Sequence, residues 1–583
     1  MAVTVIDGLV RAASLAELQA AGRLVLNVDG HTLCLFADGD AVHAVDNRCP
    51  HMGFPLHRGT VADGILTCHW HHARFDLCSG GTFDQWADDL RRFPVELRGD
   101  DVYVDVTPRE GLVAHHLTRL RVGLERNIPL VLAKAAITLA EADPTGVDAF
   151  SAGLEFGAER RGEGWGRGLT TLACFANLMP RLAPADVPVA LYHGLADVSA
   201  EAAGDPPRFP LDPLPSTDAD SATLGRWFRR FAEVRDAEGA ERALVSAVRA
   251  GASATGLADM LFAATTDHRY LDSGHALDFV NKALEALDVA GWDRAEVVLA
   301  SLPSQIAHAQ RMEESNAWRN PVDVVALLEG AFAQIPDALE AGKPRRGDWS
   351  GRSELVESVL GDYPAASVDA LLESLRDGAS EVELASAVSS AAATRIARFP
   401  TTNEFGDWDT ALHTFTFANA VEQGLRRSPS RELLRGAFDA AMSVYLDRFL
   451  NVPATRIPQA GQPADPDTLL DDLWRLYDKK QPVDQASLLV ASFLAAGGDA
   501  DRLVSALGSV LLREDRNFHT IQCVEASVRQ HEHLRGTDEA ARPLIAAARY
   551  LAAHATTTRA QRQTFDIAQR LHRGETLHEL DRA

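Results

Sequence analysis

CPHMGFPLHRG at residues 49–59 and CHWHHARFDLCSGGTF at residues 68–83 decide how this chain is read. Each stretch opens with a cysteine and follows it closely with a histidine: Cys49-x-His51, then Cys68-x-x-His71, with Met52 to Thr67 between them. Two thiolates and two imidazoles at this spacing can hold a [2Fe–2S] cluster. The sulfurs take one iron and the nitrogens the other, and imidazole in place of thiolate raises the potential. A Cys₂His₂ set also suits zinc. Zinc-finger spacings usually pair like with like, whereas here each loop brings one residue of each kind, as split ligation needs.

Both loops resemble those of the Rieske family, over roughly the first fifth of the chain. The resemblance implies an all-β sandwich with Cys49, His51, Cys68 and His71 as ligands of the [2Fe–2S] cluster. Rieske proteins of quinol-oxidising complexes add one cysteine to each loop, bridged as a disulfide, where this chain has Phe54 and Trp70. That departure points to the ferredoxin-like branch and, with the acidic charge, to the low end of the Rieske potential range, near about −150 mV. Gly53 and Gly80-Gly81 are expected to let the backbone pass close to the sulfides. His72 reads as a rim residue at the exposed cluster edge.

Working outward, 583 residues suffice for two or more domains. A net charge of −25 argues against nucleic acid and anionic membranes as partners. Neither a signal peptide nor a transmembrane-length apolar run is apparent, so the expectation is a cytoplasmic protein without membrane contact. Cys34, Cys78, Cys174 and Cys523 are scattered and read as buried thiols with no disulfide framework.

The expected fold class is multidomain: an N-terminal all-β Rieske sandwich over residues 1–107, then a large all-α domain over 112–583. RLVLNV, HTLCLFA, AVHAVD, GILTCHW, RRFPVEL and DVYVDV alternate like strands, with turn signals at Asp29-Gly30 and Asp63-Gly64. Thr107-Pro108-Arg109-Glu110-Gly111 closes the sandwich. Beyond it, segments such as SATLGRWFRRFAEV and HALDFVNKALEALDVA carry apolar residues at helical spacing. Pro-rich connections near 204–215 and 452–466 mark subdomain edges or surface loops.

A short repeat runs through the helical part. His275-x₃-Phe279-x-Asn281 and His413-x₃-Phe417-x-Asn419 share one pattern, and Thr171-x₃-Phe175-x-Asn177 keeps all but the histidine. A Rieske cluster carries one electron and does not itself transform an organic substrate, so the helices need a role. His193, His268, His275, His413 and His519 stand where an inward face is plausible and are the candidate ligands of a second, non-haem iron. On a continuous helix His268, His275 and Lys282 would share a face, although Asp272-Ser273-Gly274 can break it. His115-His116 are placed to face a site beside the Rieske domain. His531, His533, His554, His572 and His578 read as solvated.

ADVPVALYHGLADV, LHTFTFANA and RNFHTIQ are similar to segments of the questin oxidase-like family. That resemblance implies a mostly helical oxygenase acting on polycyclic aromatic substrates. The expected function is a Rieske-coupled non-haem iron oxygenase acting with O₂ on an apolar or aromatic small molecule. No nucleotide fingerprint follows a strand, so an external reductase or ferredoxin reductase must supply electrons. The alternative is an electron-transfer or redox-sensing protein whose helices are a binding scaffold. Iron content beyond the cluster separates the two.

Overall fold

The computed structural model describes the chain except residues 1–4, 7–8, 29–30, 40, 108–110, 161, 163, 216–218, 460–463, 576 and 578–583. The expected turn at Asp29-Gly30, Pro108–Glu110, part of the second Pro-rich connection and His578 therefore lie outside the described residues. The chain divides into two compact units, 1–144 with 561–583, and 145–560.

The first unit contains all eleven described strands. They are β1 (Val5–Ile6), β2 (Leu9–Ser14), β3 (Arg23–Val28), β4 (His31–Asp38), β5 (Ala41–Asp46), β6 (Thr60–Ala62), β7 (Ile65–Thr67), β8 (Arg74–Asp76), β9 (Arg92–Phe93), β10 (Val95–Arg98) and β11 (Asp101–Asp105). They form antiparallel sheets ordered β1-β2-β11-β10, β3-β4-β5-β9 and β6-β7-β8. One apolar core lies around Val10, Leu33, Leu35, Phe93 and Val104, and another around Leu56, Leu66, Phe75 and Leu77. Pro94 has no N–H for a ladder and splits the expected RRFPVEL strand into β9 and β10. β1, β2, β6 and β8 lie outside the expected strands, and β1, β6 and β8, with two or three residues each, are too short to show a period.

Helices Leu112–Arg126, Pro129–Ala142 and much of Ala560–His572 group with these sheets. The first two are joined by Asn127, which takes the left-handed region at φ 50°, and Pro129 starts the next helix where its missing N–H costs nothing. Asp88 fastens both helices to the sheets. It accepts from Arg119 Nε at 2.9 Å and pairs with Lys134 at 3.6 Å. The helical pattern starts at 112, but the compact unit continues to 144 for this reason.

The second unit is helical, and no described residue after Asp105 is in a strand. Four of its helices pack in a ring: Arg167–Leu178, His275–Ala290, Phe405–Arg427 and Phe518–His533. They are buried on nearly every face, as interior helices must be. Their interior is also polar, and it carries the second candidate site.

Candidate metal centres

The first site lies in the loops around β6, β7 and β8. The Cys49 and Cys68 thiols hydrogen-bond to each other, and the rings of His51 and His71 stand 4.8 Å apart, edge to face. Tight turns set this geometry. Gly53 N donates to Cys49 O at 2.8 Å, with Gly53 at φ 78°, and Cys68 N donates to Ala73 O at 2.9 Å. The hydrogen bond with Cys49, helped by the Trp70 and His71 amides, pushes Cys68 down to about 6. Burial, then neighbouring His71 and Lys134, pushes His51 down to about 4, which keeps it a neutral donor. His51 Nδ1 is buried without a hydrogen-bond partner. Paired sulfurs, paired imidazoles and an unpartnered ring nitrogen fit a [2Fe–2S] group held by these four residues.

The surroundings refine the sequence reading. Phe54 and Trp70 face each other with ring centroids 6.1 Å apart, so aromatic packing stands where other Rieske loops carry a disulfide. A Cβ on Gly80 would lie 2.4 Å from the Leu90 carbonyl, so close backbone approach already requires a glycine here. His72 is exposed at φ 61°. Cys78 is exposed as well, in a turn where its N–H donates to Asp76, which corrects the expectation of four buried thiols. Outside the loops, Lys134 Nζ donates to Pro50 O and reaches His51 O at 3.4 Å. His115 and His116 line a cavity of about 670 Å³ with Pro50, Gly53, Arg48 and Lys134.

The second site lies inside the ring, where His275 and His519 stand in the first turn of their helices and His413 about two turns into its own. His275, His413 and His519 each offer a ring nitrogen, and these atoms lie within 4.8 Å of one another. His413 Nε2 is 2.9 Å from His519 Nε2, and the His275 ring centroid is 4.5 Å from that of His413. His275 Nδ1 is buried without a partner. Burial pushes His275 to about 3 and His413 to about 4, so both are neutral donors at neutral pH. His519 Nδ1 faces Asp409 at 3.5 Å, and Asp409 accepts from the Tyr550 hydroxyl at 2.5 Å. A carboxylate behind an imidazole fixes its tautomer, as metal-bound histidines commonly require. Phe279 and Phe518 stack on His275. This donor set fits a divalent transition metal with three imidazole ligands and open positions.

The other two sequence candidates lie elsewhere. Tyr270, Asp272 and Ser273 take positive φ and Gly274 stands at φ 93°, so no continuous helix joins His268 to His275. His268 is instead held by Glu233 and Glu313, each at 2.6 Å. Burial alone would lower it, and these carboxylates raise it. His193 is buried beside Phe175 and Tyr192 and is not among the three grouped histidines. His531 and His554 are buried, not solvated. His554 Nε2 lies 3.8 Å from Asp409, behind the triad.

The repeat has a fourth copy that sequence reading missed. On its helix, His519 is followed by Cys523 and Glu525 at the same offsets. Only the Phe-to-Cys and Asn-to-Glu exchanges hide the match. The asparagine layer is a connected buried network. Asn177 donates to Glu285 at 2.7 Å and Glu525 at 2.9 Å, and Asn281 donates to Glu285 at 3.0 Å. Lys282 Nζ lies between Glu285 at 2.9 Å and Glu525 at 2.7 Å. Burial opposes the Lys282 charge, yet the two carboxylates hold its pKa above the usual range. On the far side of the ring, Gln530 donates to Asn419 at 2.9 Å and Glu422 at 2.8 Å. Histidines meeting above and these polar pairs below mean that the four helices run in the same direction.

Comparison with known proteins bears on the first site. Residues 9–94 match the family model of the Rieske [2Fe-2S] domain. The chain is similar to human apoptosis-inducing factor 3, 37% identical over 71 residues, which is 12% of each chain. It is 27% identical over 97 residues to the ferredoxin component of the naphthalene 1,2-dioxygenase system of Pseudomonas aeruginosa, covering 16% of this chain and 93% of that one. It is also 44% identical over 50 residues to the 4beta-methylsterol monooxygenase of Methylococcus capsulatus, covering 8% of this chain and 14% of that one. The N-terminal part is thus a Rieske [2Fe–2S] domain, a large helical region follows it, and the chain spans about an eighth of the length of the first of these relatives. Among the described residues, no helix is long and apolar enough to cross a membrane.

Proposed function

We propose that the chain is a Rieske-coupled oxygenase in which His275, His413 and His519 hold a non-haem iron. One observation carries this reading: three imidazoles from helices far apart in sequence converge on one point, with a buried His275 nitrogen left unpartnered. Metal-free, such a cluster is a poor use of a core, because an unsatisfied buried polar atom costs about 1–3 kcal/mol. Similarity of the first site to components of oxygenase systems supplies the other half of the reading. The bound iron would bind and activate O₂. Insertion of one oxygen atom into a C–H bond consumes O₂, two electrons and two protons, and yields an alcohol and water. An external reductase supplies the electrons by way of the cluster. Phe279 and Phe518, whose rings pack against His275, suit an apolar or aromatic small molecule.

Iron analysis of anaerobically purified full-length protein tests the proposal. The expected content exceeds the two irons of the cluster by one. Replacing His275 or His413 by Ala removes the extra iron and leaves the Rieske spectrum intact. Two irons per chain in wild type and in both variants would overturn the proposal and leave an electron-transfer or redox-sensing protein.

A further inference from the structure

The ring has four helices and four copies of the repeat, yet only three carry histidine. The fourth puts Thr171 where the others have His275, His413 and His519. Its register is fixed independently, because Asn177, two positions beyond Phe175, reaches both Glu285 and Glu525. Its helix packs against the His275 and His519 helices. Arg167, one turn before Thr171 on the same face, is close enough for its charge to act on His275.

The Thr171 hydroxyl is the second observation. Thr171 is fully buried, and its Oγ1 has no hydrogen-bond partner. A helical threonine ordinarily satisfies its hydroxyl on the carbonyl one turn back. Its neighbour does this: Thr170 Oγ1 donates to Gly166 O at 2.9 Å. A buried hydroxyl that forgoes this bond in the interior of a packed ring calls for another acceptor.

We infer that Thr171 marks the position kept open for an exogenous ligand, and that its hydroxyl donates a hydrogen bond to a small anionic or oxygen-derived ligand on the histidine-held metal. This rests on the reading of the triad as a metal site. A fourth imidazole there would take that position itself. Threonine has the reach to hydrogen-bond a ligand and is too short to displace it. The repeat thus separates three holding positions from one receiving position, so Thr171 is a positioning residue for the bound ligand.

Azide binding to the oxidised, metal-loaded full-length protein tests the inference, read by its charge-transfer band after subtraction of the cluster spectrum. Iron content is measured on each sample. Thr171→Ala is expected to retain the third iron and weaken azide by about tenfold or more, the usual effect of losing a hydrogen bond to a charged group. Thr171→Ser is expected to restore affinity, and Thr171→His to retain iron and weaken azide at least as much as Thr171→Ala, because its ring takes the position. Equal azide affinity in wild type, Thr171→Ala and Thr171→His, with iron retained, overturns the inference while sparing the metal site. Absence of a third iron from wild type overturns both. Should the histidine variant fail to fold, the Ala and Ser pair decides.

Discussion

The Rieske loops and the histidine triad solve the same problem, bringing donor atoms together, over very different lengths of chain. All four proposed ligands of the first lie between residues 49 and 71, on one loop before β6 and one between β7 and β8. The second gathers residues 275, 413 and 519 from three separate helices. A site built on turns is specified locally, by which residues can turn and how soon the next ligand follows. A site built on helices depends on packing hundreds of residues into register. The two should fail in different ways.

The strongest test separates them completely. Cys49→Ser or His71→Ala removes one of four ligands of the cluster and should abolish the red-brown colour and the low average g of the reduced protein. The extra iron held by the triad should persist. Joint loss of both metals would mean that the two sites are not independent, and the comparison would break.

Lys282 tests the long-range half. It is buried between Glu285 and Glu525 and ties two of the ringed helices together. Lys282→Met removes the nearer cation and leaves the two buried carboxylates with Arg529 alone, at 3.6 Å from Glu285 and 3.5 Å from Glu525. Breaking a buried pair in this way costs about 3–5 kcal/mol. Denaturant unfolding should therefore show a large fall in stability, with the cluster signal retained in protein that still folds. A change under about 1 kcal/mol would mean that the network does not hold the ring.

This difference also explains what the sequence discloses. The Rieske domain and the switch from strands to helices are legible because spacing and periodicity are local. Three of the five proposed histidines converge, and the short repeat sets two of them, His275 and His413, apart from His193 and His268, whereas His519 carries it only in altered form. His268 is lost to a left-handed break at residues 270–274, and Asp272 and Ser273 are not residues that force positive φ. Asp409, Tyr550 and His554 back His519 from distant segments, with no pattern to announce them. The fourth repeat was hidden by Cys523 and Glu525, which fill the expected positions with unexpected residues.

A pH experiment probes the same helical interior. Burial, opposed by the Thr414 hydroxyl at 2.7 Å, pushes Asp447 up to about 7. Its unfolded value lies near about 4. Between these two the folded state binds more protons than the unfolded state, so stability falls as pH rises from about 4 to about 7. One such group contributes a slope of at most about 1.4 kcal/mol per pH unit. Asp447→Asn should flatten the slope measured by urea unfolding across that window, and an unchanged slope would place its origin in another group.

The smallest expected effect tests whether the Rieske site is as local as it looks. Lys134 lies outside the matched domain, yet its ammonium donates to Pro50 O and approaches the carbonyl of the ligand His51. Asp88 offsets part of that charge at 3.6 Å. A cation near the cluster favours the form that has gained an electron, so it raises the midpoint potential. Lys134→Met should lower that potential by on the order of tens of millivolts, as expected for one partly screened charge several ångströms away. The four ligands and the spectrum should be unaffected. Asp88→Asn removes the opposing charge and should shift the potential upward. Redox titration of both variants gives the signs directly. Opposite shifts would mean that a residue from the following helix tunes a site otherwise read entirely from its own two loops. No shift in either would leave the loops self-sufficient and the contrast with the triad complete.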